Sequence, residues 1–201
     1  MRKLSVIIVL LLALSVAIGA QAQDTRTFEP LDRSFGYHFD YPLATHSVRT
    51  SNAMTPATVD VAFGALIAVE PNDSYLFADG AQPTYLTRMR VLAGFNTELV
   101  ADDADLTQYL GKSPLLEYAP ADAAVIEHIT LGGQPAVRAT GIPVMPGEGP
   151  TDIIAVFDGL LYEIVIEPAP LQLGFDPNDM IVLDPVYQNI LDSWVFETPQ
   201  M

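Results

Sequence analysis

The chain has 201 residues, half of them hydrophobic, with no Cys and with nine Lys and Arg against twenty-five Asp and Glu. That composition excludes intrinsic disorder, a disulfide framework and thiol catalysis. A phosphate backbone or an anionic lipid surface would be repelled, so the charge argues against nucleic acid and peripheral membrane binding and leaves cationic or neutral partners.

In chain order, the first feature is an export signal. Arg2 and Lys3 form a basic start, Leu4 to Ile18 is an uncharged apolar run, and Ala20 and Ala22 are small residues three and one before a break. Cleavage there would leave Gln23 at the new N-terminus. The alternative is an uncleaved anchor, because Leu4 to Ala22 approaches the length that spans a bilayer. Without Cys the N-terminus cannot carry a lipid on sulfur. Loss of residues 1–22 from 201 leaves 179, enough for one domain with a sizeable core. Seven cations then face twenty-five acids, a formal charge of −18. Residues 23–33 read as a polar tether, and 34–198 as a single domain.

Phe35, Tyr37, Phe39 and Tyr41 alternate with Gly36, His38 and Asp40 before Pro42. A period of two puts all four rings on one face of a strand. An exposed stripe of that size is an aggregation liability, so the rings are expected in a core beneath a helix rather than on a sugar-stacking platform. Ala57 to Val69, interrupted by Gly64, and Thr84 to Phe95 read as the next strands. Leu106, Tyr109 and Leu110 share one helical face, with Asp102, Asp103 and Asp105 before them and Gly111 after, which predicts a short helix.

The second half predicts two hairpins. Val125–Leu131 and Gln134–Ile142 flank Gly132-Gly133, and Thr151–Phe157 and Leu160–Glu167 flank Asp158-Gly159, both dipeptides suited to turns with positive φ. "PVMPGEGP" between the hairpins is a loop. In "LDPVYQNILDSW", Asp184 is a candidate N-cap, Pro185 suits the first helical position, and Val186, Ile190 and Leu191 share a face. Trp194 to Phe196 reads as a final strand. Hairpin-linked strands with two interspersed helices predict an α+β domain with a central antiparallel β-sheet flanked by helices.

Three stretches carry a family resemblance: "HFDYP", "ITLGGQPAVRATG", and "LLYEIVIEP" through "VYQNILDSWVF". Together they resemble the PsbP-like proteins, with Tyr187, Ile190, Leu191, Ser193 and Trp194 similar to that family's closing helix and its exit into an edge strand. The family often places a Trp soon after the Pro, where this chain has "LATHSV". The resemblance implies an α/β/α sandwich, no catalytic residues, and a role in binding proteins or assembling complexes.

Candidate sites in the residues themselves are few. Arg88, Arg90 and Arg138 are three of the seven remaining cations and all fall on predicted strands. Convergence on one sheet face would let them grip an anion; the alternative is pairing with nearby carboxylates. Asp102, Asp103 and Asp105 are oxygen-rich but lack the Gly and closing Glu of a calcium-binding EF-hand loop, and acids at a helix start are explained by its dipole; Asp176, Asn178, Asp179 and Asp184 form a second oxygen-rich set, explained by loop chemistry and an N-cap. His38, His46 and His128 lack paired zinc-ligand spacing. "GKS" at Gly111 to Ser113 lacks the upstream Gly of a phosphate loop, and no Gly-x-Ser-x-Gly elbow occurs. No metal or cofactor is therefore expected. The reading is a secreted or cell-surface, non-catalytic binding or assembly module with a protein partner in the cell envelope. The alternatives are a small extracytoplasmic hydrolase of envelope polymers and an accessory domain without a ligand.

Overall fold

Alternating side chains dominate the computed structural model, which describes residues 24–50, 66–72, 88–95, 98–112, 115, 125–141, 150–167 and 185–199. In chain order these hold β1 (Thr25–Phe28), β2 (Tyr37–Pro42), β3 (His46–Thr50), β4 (Leu66–Pro71) and β5 (Arg88–Ala93). A 3₁₀ helix (Leu106–Tyr109) follows, then β6 (Val125–Leu131), β7 (Gln134–Thr140), β8 (Thr151–Phe157), β9 (Leu160–Glu167), the helix α1 (Pro185–Asp192) and β10 (Val195–Phe196).

The strands form two sheets. The larger runs β3-β4-β5-β9-β8-β7-β6 and the smaller β1-β2-β10, with every described pairing antiparallel. Both predicted hairpins form. Gly132 and Gly133 take φ of 53° and 82°, and Asp158 and Gly159 take 50° and 78°, the positive pair that a right-twisted two-residue turn requires.

Register sorts the larger sheet into two buried faces. On one, Ile67, Val69, Met89, Val91, Ile153, Tyr162 and Ile164 meet Tyr37, Phe39 and Tyr41 of β2, Tyr187 and Ile190 of α1, and Trp194. The aromatic row is thus core: Tyr37, Phe39 and Tyr41 are buried, and Phe35 is packed against them. Fully burying each ring stabilises by about 2 kcal/mol. On the opposite face, Leu92, Val137, Ile154, Val156, Leu161 and Val165 lie under Val100, Leu106, Leu110 and Leu115. These four come from the segment that contains the 3₁₀ helix, and we refer to it as the cap.

The expected α/β/α sandwich is not what the chain builds. Among the described residues there is one α-helix of eight residues, and the architecture is mainly two antiparallel sheets. The physical reason is visible on each face. One is covered chiefly by the ring-bearing strand β2, with α1 beside it. On the other, the stripe of Leu106, Tyr109 and Leu110 is satisfied by a single 3₁₀ turn, because Asp105 caps it at one end and Gly111, at φ 69°, turns the chain at the other.

The strand starts also differ from the sequence reading. Thr25–Phe28 is a strand paired with β2, inside the segment read as a tether, and His46–Thr50 is a further strand beyond Pro42. The predicted leader, residues 57–65 and 84–87 of the predicted strands, and Asp176 to Asp184 lie outside the described residues. No helix among the described residues is long and apolar enough to cross a membrane.

Candidate functional site

The three arginines do not converge as a group. In β5, Arg88 and Arg90 lie two residues apart and so share a face, and both reach Glu167 of β9. Arg90 Nη2 donates to Glu167 Oε1 at 2.6 Å and to the Leu115 carbonyl at 2.9 Å, which ties the cap to the sheet. Arg88 Nε donates to Glu167 Oε2. Arg138 stands opposite Ile153 and therefore on the other face, where its Nη2 lies 2.6 Å from Glu127 Oε2. Each is matched to a carboxylate within the chain. Burial, opposed by the nearby Glu167 carboxylate, lowers the pKa of Arg90.

Beside Arg90 lies a feature that the sequence reading missed. Asp152 of β8 and Glu163 of β9 are both 0% exposed. Asp152 pairs with Val165 and Ile154 with Glu163, so the two acids are diagonal neighbours on the face under the cap. Diagonal neighbours stand about 7–8 Å apart at the backbone, within reach of side chains this long. Burial pushes the Asp152 carboxyl up to about 7; the Gly111 N–H and the Glu163 side chain pull it down but do not offset the loss of water. Neither Asp152 oxygen makes a well-formed hydrogen bond among the described residues. The signal was a lone acid inside an apolar strand, in "TDIIAVF" and in "LLYEIVIE", where alternation puts both on an inward face.

Register extends this pair into a stripe. Arg49, Arg90 and Asp152 lie in one row across the sheet, through Ala68 and Val165, and Glu70, Arg88, Glu167 and Glu163 stand two residues from that row on the same face. Arg49 Nε lies 3.8 Å from Glu70 Oε2. The stripe thus holds three guanidinium groups and four carboxyl groups.

The remaining sequence candidates serve the fold. Asp105 Oδ1 accepts from Thr107 N at 3.1 Å and Thr107 Oγ1 at 2.6 Å, and these bonds hold its carboxyl below the usual range. Asp105 is thereby a cap of the 3₁₀ helix, and no group of three or more metal-ligating side chains is assembled among the described residues. His38 Nδ1 lies 3.1 Å from Glu197 Oε1, His46 meets Tyr187 edge to face at 5.7 Å, and His128 lies on β6. A cleft beside Tyr37, lined by Glu29, Arg33, Phe35 and Glu197, has a volume of about 20 Å³. That is room for about one water, far below the several hundred Å³ of a small-molecule site. An acid pair for glycoside hydrolysis must reach substrate, whereas Asp152 and Glu163 are sealed.

The fold is similar to a cyanobacterial PsbP. The solution structure of cyanobacterial PsbP (CyanoP) from Synechocystis sp. PCC 6803 aligns with 89% of this chain and 96% of its own, at a TM-score of 0.46 and 12% identity. This agrees with the resemblance read from the sequence. No family model matches the sequence, and no curated protein does.

Proposed function

We propose that the exported chain is a non-catalytic binding or assembly module of the cell envelope, and that its partner is a protein with a basic surface. The observation that carries this reading is the disposition of charge. Of the seven Lys and Arg that follow residue 22, Arg33, Arg49, Arg88, Arg90 and Arg138 are in ion pairs with Glu29, Glu70, Glu167 and Glu127. Cations committed internally leave the outer field to the unmatched acids, which attract a cationic surface and repel phosphate and anionic lipid.

Two further observations support the reading: the aromatic row belongs to the core, and the acid pair Asp152 and Glu163, shielded from water, is closed to substrate. The test is capture of envelope proteins on the immobilised chain lacking residues 1–22, then direct binding measurements with each purified candidate. The expected result is a basic protein whose affinity falls as salt rises. Binding indifferent to salt, or turnover of envelope glycans or peptides above a protein-free control, would overturn it.

A further inference from the structure

The larger sheet ends at β3 on one side and at β6 on the other. A terminal strand offers unpaired backbone groups to any extended chain, and proteins block such edges with Lys, Pro, a bulge or a very short strand. β3 carries the cation Arg49. β6 has no such device: Val125–Leu131 contains no Lys, Arg, Pro or Gly, and all seven of its residues pair with β7 in unbroken register. Its acid, Glu127, is held by Arg138.

The turn decides which backbone groups are free. In a hairpin closed by two residues, those flanking the turn exchange both backbone bonds, and bonded and non-bonded positions then alternate along the strands. Leu131 and Gln134 flank Gly132-Gly133, so Leu131, Ile129, Glu127 and Val125 direct their backbone groups to β7, and Thr130, His128 and Ile126 direct theirs outward. Pro135 fits this assignment, because it stands opposite Thr130, where no N–H is required across the hairpin. His128 is opposite Val137, so the three outward residues share the cap face, and Val125, Glu127 and Ile129 share the other. The edge is open to solvent: Val125 is 59% and Ile126 47% exposed, and His128 and Thr130 are exposed as well.

The surroundings select the occupant. On the cap face the 3₁₀ helix packs over β7 and β8, and the exposed Asp105 at its start is held below the usual carboxylate range by its bonds from Thr107 and also by the nearby His128. A carboxylate therefore borders the open edge on that face, while Val125 and Ile129 make the other face apolar. A second copy is disfavoured, since each chain carries a formal charge of −16 and the copies repel. We propose that the outer edge of β6 receives an extended segment of a basic protein as an added strand, bonded to the backbone groups of Ile126, His128 and Thr130, with cationic side chains on the cap face and apolar ones on the other. This rests on the reading of a basic partner and assigns its contact.

The probe is a peptide as long as β6, seven residues alternating Lys and Val and blocked at both ends, titrated into the purified chain. At saturation the hydrogen-exchange protection of the Ile126, His128 and Thr130 amides should rise about ten-fold or more, whereas Glu127 and Ile129, already bonded to β7, change little. The same peptide N-methylated throughout, or with Glu for Lys, should not bind, and affinity for the Lys peptide should fall as salt rises. His128→Pro removes an outward donor without touching the β6–β7 ladder and should weaken the peptide about ten-fold. Ile126→Lys places a blocking cation on the edge, should weaken it likewise, and covers the case in which the Pro variant fails to fold. Unchanged protection at the outward amides, binding unaltered in both variants, or dimerisation of the chain through β6 would overturn the proposal. Capture of a basic envelope protein undiminished in both variants would overturn β6 as the contact while leaving the reading of a basic partner in place.

Discussion

Trp194 lies flat against Tyr37, with ring centroids 4.8 Å apart and planes within 4° of parallel. The indole also stacks on Phe39 at 5.3 Å and meets Phe196 nearly edge-on at 5.9 Å. One side chain at the exit of α1 therefore joins β2 and β10 of the smaller sheet to the core they share with the larger.

Trp194→Ala should cost about 3–5 kcal/mol, the range for truncating a buried large aromatic, and Trp194→Phe markedly less. Because the chain has a single Trp, the variants have no indole to report on, and urea unfolding followed by far-ultraviolet circular dichroism is the measurement. A loss below about 1 kcal/mol would show that the stack is not central to the core.

Global stability should depend on pH in the sense opposite to ordinary acid denaturation. Asp152 keeps its proton in the folded chain up to about pH 7, whereas the unfolded chain releases it near the ordinary value of 3.8. Between these values the unfolded state binds fewer protons, so stability falls as pH rises, by at most about 1.4 kcal/mol per unit, and levels off above about 7. Asp152→Asn should flatten this component and be the more stable chain at neutral pH. Denaturant midpoints for both proteins at several pH values between about 4 and 8 decide it.

The arginines should separate by burial. Arg90→Ala removes a guanidinium that is 11% exposed, serves two acceptors and leaves Glu167 and Leu115 short of a donor, for a loss of about 3 kcal/mol. Arg88 is 41% exposed, and Arg88→Ala should cost about 1 kcal/mol or less. Equal losses in the two variants, read by urea midpoints, would contradict the geometry.

Gly36→Ala should detach the C-terminal end. An added Cβ would overlap the Glu197 carbonyl oxygen, and Glu197 N donates to the Gly36 carbonyl at 2.9 Å. A backbone shift costing about 1–3 kcal/mol is expected, with loss of hydrogen-exchange protection at Glu197 before the large sheet is affected.

Much of the β-structure was legible because its signals are local. The rings of Phe35 to Tyr41 alternate, and the Gly-Gly and Asp-Gly turns need backbone angles few other residues accept. Leu106, Tyr109 and Leu110 looked like a helix because their spacing fits any single turn, α or 3₁₀. The helical layers were over-read for a different reason: what covers a sheet is a long-range fact, and here β2 and the cap do most of it. The pairing of Arg90 with Glu167 and the meeting of Asp152 with Glu163 depend on which strands are neighbours, and the order β5-β9-β8 cannot be read from chain order. A solitary acid in an apolar strand was the available hint.

The middle strand of the small sheet has one further consequence. β2 is flanked by β10, and the Ser193 hydroxyl accepts from Asp40 N across 153 positions of sequence. That edge of β2 consequently stays unpaired until almost the whole polypeptide has been synthesised. Contacts that distant close late and slowly. The chain therefore completes its smaller sheet only after Val195 and Phe196 have been made.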